Sequence, residues 1–207
     1  MSSQSSLWPL HGQCFELIEL TVCRYRDKFI FRFKGIRYAA QPKLFTYSSL
    51  YEGSDSVSAL SSGPKCVQTG CSGSDCSEDC LFLNIWTPYL PLNGRTPQTR
   101  PKDVMFWIHV GAFTGGTGAD PTFDGGNMES RGDVVMVAIN YHLSALGFLA
   151  LIDGKTNGNY GLGDIITALW RPKPYYDIRT VCWCSVCSCH FSIPEGDWEV
   201  CCSNTYE

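Results

Sequence analysis

The chain has 207 residues, 44% of them hydrophobic and 17% charged, with 20 glycines and 11 prolines, which fits a folded protein with a sizeable core rather than a low-complexity chain. A formal charge of -4 gives no field that would attract nucleic acid or an anionic membrane, so neither is expected as a partner. No apolar run approaches the roughly 20 residues needed to cross a bilayer, so no membrane span is expected.

Met1 to Gln13 has neither a basic start nor an apolar core, and so is not an ordinary secretory signal. Strand-like runs follow at Phe15–Val22 and Lys28–Tyr38, with Arg24–Lys28 as the turn between them. In the second run Phe29, Phe31 and Phe33 alternate with Ile30, Arg32 and Lys34, the period of a half-exposed antiparallel strand that Gln41-Pro42 ends. Phe45 to Gly63 shows no sustained period and reads as a meandering surface segment.

Twelve cysteines fall six before Leu81 and six after Thr180. Cys66, Cys71, Cys76 and Cys80 share one Gly/Ser-rich loop without a CxxC knuckle, a spacing that leaves disulfides, free thiols or zinc open. Leu81–Trp86 is the next strand, and Pro88–Arg100 a surface loop.

Val104–Ile108 and Val134–Ile139 are unbroken apolar runs, the mark of strands covered on both faces. After the first comes the glycine-bearing stretch His109–Gly118, a loop whose backbone amides are free to meet a ligand. Leu162, Ile165, Ile166 and Leu169 recur at helical spacing, and Pro172 and Pro174 forbid continuation past Trp170.

Several of these pieces together resemble the N-terminal part of the type B carboxylesterases, the family that includes cholinesterases and fungal esterases. Glu78-Asp79-Cys80-Leu81-Phe82-Leu83-Asn84-Ile85-Trp86-Thr87-Pro88 matches its signature at every position. In order and at matching spacing stand Phe33–Ala39, Gly63–Cys66, Trp107-Ile108-His109 with Gly111-Ala112-Phe113, Asn140-Tyr141, Leu146–Phe148, and Gly158–Leu162 with Asp164. The resemblance implies an α/β class and an incomplete α/β-hydrolase fold, in which N-terminal antiparallel strands lead into a mixed sheet covered by a helix. The chain divides accordingly into a lead-in at 1–29, an esterase-like portion at 30–170 and a Cys-rich, irregular and disordered tail at 171–207.

By motif position, the resemblance assigns an oxyanion hole to the backbone amides of Gly111 and Ala112, acting on a small-molecule carboxylic ester without metal or cofactor. Val110 replaces the family's first glycine and would be strained if that position needs positive φ. The resemblance also implies a Cys66–Cys80 disulfide, with Cys71 and Cys76 available for an inner bridge. Such bridges form in an oxidising compartment and so point to a secreted form, a conflict with the N-terminus that a missing start would reconcile.

The family's serine stands in a GxSxG turn, and no GxSxG occurs in these 207 residues; Gly70-Cys71-Ser72 is the nearest imitation. His109 belongs to the glycine loop, while His11, His142 and His190 carry no motif and read as structural. No triad member is therefore assigned, and a fragment inactive by itself is expected, with a non-catalytic esterase-like binding protein as the alternative. Leu44 and His142 each stand where the family has an arginine, so Glu78 and Asp164 are expected to have lost their ion-pair partners. In the tail, Cys182, Cys184, Cys187, Cys189 and His190 invite a thiolate metal site, against which stands a tail translated out of frame or through an intron.

Overall fold

A computed structural model describes residues 14–16, 21–25, 28–53, 58–88, 102–151, 153–154, 156, 158–170, 182–184, 189–192 and 199–202. The readings on Met1–Gln13 and on most of the loop before Arg100 lie outside them. Three antiparallel strands open the sheet: β1 (Cys14–Glu16), β2 (Thr21–Tyr25) and β3 (Lys28–Arg37). The first strand-like run thus divides into two strands, and the second holds with its half-exposed character.

A bulge in β3 does more than bend it. Between Phe33 and Ile36 the register against the next strand slips at Gly35, whose φ is 66°. An added Cβ there would stand 2.4 Å from the Ser61 carbonyl oxygen, so only glycine fits. The extra residue turns Ile36 onto the face opposite Ile30, and each side chain joins a different core.

A two-strand clip of β4 (Lys65–Cys66) and β5 (Cys76–Ser77) precedes β6 (Phe82–Thr87). The sheet is completed by β7 (Val104–Ile108), β8 (Val135–Ile139) and β9 (Cys182–Cys184), in the spatial order β1-β2-β3-β6-β8-β7-β9. β7 runs parallel to β8 and β6 antiparallel to it, so the sheet is mixed. As their unbroken apolar runs predict, β7 and β8 are covered on both faces: Phe106, Val137 and Ile139 enter one core, Trp107, Met136 and Ala138 the other.

The tail differs from expectation. β9 lies parallel on the outer edge of β7, pairing Phe106 with Cys182 and Ile108 with Cys184, while β10 (Cys189–Ser192) and β11 (Glu199–Cys202) form an antiparallel pair. That edge is therefore not open along Phe106–Ile108, and the tail is not wholly irregular. Ladder pairing uses the backbone and needs no side-chain period, which is why periodicity missed these strands.

Helix α1 (Gly126–Gly132), α2 (Ser144–Phe148) and α3 (Tyr160–Leu169) supply the covering layers. α3 lays Ile165, Ala168 and Leu169 into the larger core and ends at Trp170 as its apolar spacing predicts. The spacing also included Leu162 and Ile166, and these are each 48% exposed, in line with Trp170 at 57%. The helix is rotated because Gly161 approaches the His142 carbonyl so closely that an added Cβ would meet it at 2.4 Å, and Asp164 is drawn inward. We expect Leu162→Lys with Ile166→Glu to lower the thermal midpoint by only a few degrees, about 2–4 °C, while lowering any self-association in sedimentation, since both side chains lie outside the core cluster and are half exposed.

α1 covers the other face, where Gly125 lies against Trp86 and Met136. It buries Glu129 completely, with no hydrogen-bond partner for either carboxylate oxygen. Burial pushes this carboxyl up to about 7, with Lys28 and Lys102 lowering and Asp133 raising it. A folded pKa above the free value of 4.5 means stability present below that value and lost as pH rises through about 7. Glu129→Met should therefore stabilise the fold by about 1–3 kcal/mol at high pH and by far less near pH 5, as urea midpoints would show.

Candidate functional site

The glycine-bearing loop leaves the C-terminal end of β7 and is pinned at both ends by buried polar side chains. At its start, His109 is buried and stacked on Tyr141 with ring centroids 4.5 Å apart, and the Tyr141 hydroxyl donates to the His109 carbonyl at 3.1 Å. Burial lowers the His109 pKa, against the opposing contact of Nδ1 with the Val110 carbonyl, so the ring is neutral at neutral pH. At its end, Asn140 Oδ1 accepts from Gly118 N at 2.8 Å and Thr117 Oγ1 at 3.0 Å, and its Nδ2 donates to the Pro64 carbonyl at 2.9 Å. Asn84 links the same end to the β3 bulge, donating to the Gly118 carbonyl at 3.1 Å and accepting from Gly35 N at 3.0 Å.

Between these anchors the chain coils tightly. Gly111 has φ 137°, and an added Cβ would stand 1.8 Å from the Gly115 carbonyl oxygen, so no other residue fits. Ala112 and Phe113 follow at φ 51° and 61°, a left-handed pair that non-glycine residues rarely adopt. Val110 is not among the positive-φ residues, which corrects the expectation of strain there: the loop carries it at Ala112 and Phe113 instead.

The Gly111 carbonyl accepts from Thr114 N at 2.9 Å and Gly115 N at 3.2 Å, and Phe113 O accepts from Ser144 N at 2.7 Å. Because a trans peptide points its N–H opposite its C=O, holding the Gly111 oxygen inward turns the Ala112 N–H outward. Among the described residues, no acceptor meets the backbone N–H of Gly111 or Ala112. The Ala112 amide is thus aimed away from the loop's own hydrogen bonds, and the adjacent Gly111 amide takes part in none of them.

Beneath the loop lies the cysteine clip, with Cys66–Cys80, the pair that the resemblance implies, and the inner Cys71–Cys76 bridge both formed; Cys23, in β2, is disulfide-bonded as well. Ser72, in the nearest imitation of a nucleophile turn, is exposed in this clip, and no strand of the main sheet leads into it. Among the described residues no group of three or more His, Cys, Asp or Glu side chains is placed to hold a metal, and Cys187 lies outside them. No described helix is long and apolar enough to cross a membrane.

Of the two expected ion-pair losses, the one at Asp164 is corrected and the one at Glu78 leaves no buried charge. His142 Nδ1 meets Asp164 Oδ2 at 2.7 Å, and its backbone N–H donates to the same oxygen at 3.0 Å, so imidazole takes over the arginine's part. Leu44 is 56% exposed and Glu78 is exposed, so water solvates that carboxylate and no buried charge is stranded. Its neighbour Asp79 is held by Arg37 at 2.7 Å, a hydrogen bond that keeps the carboxyl below its usual range against the opposing effect of burial.

Comparison with known proteins gives the family and the fold. Residues 24–170 match the Carboxylesterase family. Acetylcholinesterase-1 of Trittame loki is 35% identical over 167 residues, covering 75% of this chain and 29% of its own length. Bile salt-activated lipase of Bos taurus is 37% identical over 141 residues, covering 64% of this chain and 23% of its own. Among solved structures, a thermophilic PNB esterase superposes with a TM-score of 0.61 at 29% identity, covering 74% of this chain and 34% of that one. The carboxylesterase of Geobacillus stearothermophilus superposes with a TM-score of 0.59 at 38% identity, covering 68% and 29%. The fold is that of these α/β-hydrolase esterases, of which the chain spans between 23% and 34% of the length.

Proposed function

Since this chain belongs to the carboxylesterase family, we propose that it carries the oxyanion-stabilising part of a serine esterase acting on small-molecule carboxylic esters, and that these 207 residues alone form no acyl-enzyme. The carrying observation is the pair of consecutive loop amides, Gly111 and Ala112, which no acceptor among the described residues meets. In acyl transfer a nucleophile adds to the ester carbonyl, and negative charge collects on its oxygen. Two preset N–H donors stabilise that charge without reorganising, and one such donor is worth roughly 100- to 1,000-fold in rate.

Donors alone do not attack a carbonyl. A serine esterase also needs an activated hydroxyl and a base within hydrogen-bond reach, and this sequence holds no GxSxG turn. His109 does not supply the base: its ring stacks on Tyr141, and Nδ1 faces the Val110 carbonyl.

Two measurements test the halves of this reading. Incubation of the full chain with a fluorophosphonate should give no covalent adduct by mass spectrometry, and a stoichiometric adduct would overturn the missing nucleophile. Titration with a short alkylphosphonate anion, a mimic of the tetrahedral oxyanion, should shift the Gly111 and Ala112 amide resonances; unmoved resonances would overturn the oxyanion reading.

A further inference from the structure

We propose that Gln68 is the positioning residue of the glycine loop, holding the Gly111–Ala112 amides in place from the disulfide clip below. This assignment rests on the oxyanion reading for its catalytic meaning, and on geometry alone for its structural one.

Gln68 is half-buried two residues after Cys66, and its side-chain amide is fully engaged with backbone. Its Oε1 accepts from Gly116 N at 2.7 Å, and its Nε2 donates to the Gly116 carbonyl at 2.9 Å and the Cys66 carbonyl at 3.0 Å. Contact with both the N–H and the C=O of one residue fixes that residue's peptide planes as a strand partner would, and neither group can turn away alone. Gly116 sits at φ 118°, and an added Cβ would stand 2.3 Å from His109 Nδ1, so the two limbs of the loop touch here.

The path to the amides is short and covalent. Gly116 follows Gly115, whose N–H with that of Thr114 holds the Gly111 carbonyl. The Gly111 carbonyl shares its peptide plane with the Ala112 N–H, so freeing Gly116 loosens the constraint that aims the Ala112 amide. A side chain 43 positions away from the Gly111 peptide thereby governs its orientation.

Gln68 is itself fixed from both sides. Cys66 is tied to Cys80, and Cys71 to Cys76. The Cys71 N–H donates to the Gln68 carbonyl at 3.3 Å, while the Gln68 N–H approaches Cys71 Sγ at 3.2 Å. Two cross-links that restrict the backbone on either side of Gln68 lower the entropy lost when its side chain holds the loop. The cysteine clip is thus a rigid platform for one amide side chain.

The test is residue-resolved amide hydrogen exchange on the full oxidised chain, with Gln68→Ala and with Gln68→Met, which fills the same space without hydrogen bonds. We expect the amides of Thr114, Gly115 and Gly116 to exchange at least about tenfold faster in both variants, while Val137 and Ile139 in β8 keep their rates. A Gly116 rate unchanged in Gln68→Met would overturn the assignment, and so would a uniform rise that includes β8, because that is global destabilisation. The phosphonate titration of the unsubstituted chain separates the two readings: if Gly111 and Ala112 do not shift there, the oxyanion function falls while the exchange rates still decide whether Gln68 holds the loop.

Discussion

His142→Ala is expected to cost about 3–5 kcal/mol in urea denaturation at pH 6, because it leaves Asp164, a carboxylate only 1% exposed, without its charged partner and with only the backbone N–H of residue 142 on Oδ2. The imidazole faces two acceptors: Nδ1 meets Asp164 Oδ2, and Nε2 meets the Glu78 carbonyl at 3.1 Å. Neutral imidazole has one N–H and satisfies one of them, whereas imidazolium donates to both. Burial lowers the His142 pKa, but the hydrogen bond and charge of Asp164, with the carbonyl and charge of Glu78, outweigh it, so the value ends above the ordinary 6.5. A folded pKa raised above the unfolded one contributes stability in full below about 6.5 and loses it as pH rises through the raised value. The loss caused by His142→Ala should therefore shrink between pH 6 and pH 9. Because Glu129 also weakens the fold in that window, the comparison belongs in a Glu129→Met background. A His142→Ala loss that stays constant with pH would sink the imidazolium reading.

The Cys66→Ser, Cys80→Ser double variant is expected to lower stability by about 3 kcal/mol, the loop-closure value for a separation of 14 residues. Both sulfurs lie in the larger core beside Leu81 and Ile36. The readout is urea denaturation, in which the midpoint should fall and the slope should rise, because the unfolded chain without the cross-link is more expanded. An unfolding free energy within about 0.5 kcal/mol of the parent's would show that the clip holds by packing alone. Cys71–Cys76 spans only five residues, so its removal should cost less. Both bridges flank Gln68, and the longer one also carries most of the clip's contribution to stability.

Much of the sheet could be read along the chain because its strands are self-announcing. The buried runs at Val104–Ile108 and Val135–Ile139 and the alternation in Lys28–Arg37 each encode their own burial. The Cys66–Cys80 pair and the glycine loop were legible through the family resemblance, whereas the spacing of the four cysteines left their state open and the inner Cys71–Cys76 bridge came from the fold. α1 was not, since its seven residues GNMESRG have low helix propensity and form a helix through packing on Trp86 and Met136. The exposed stripe on α3 was misread because Leu162 and Ile166 look like core residues until Gly161 and Asp164 claim the inner face.

The sequence by itself determined the family, the buried strands and the loop that bears Gly111 and Ala112, because each rests on local pattern or on a motif a few residues long. Only the tertiary structure decided who holds that loop and whether buried charges find partners. Gln68 and Gly116 are 48 residues apart, and His142 and Asp164 are 22 apart. Hydrogen bonds depend on tenths of an ångström between groups that folding alone brings together, so a histidine in an arginine's place reads as a lost pair in the chain and proves a made one in the fold.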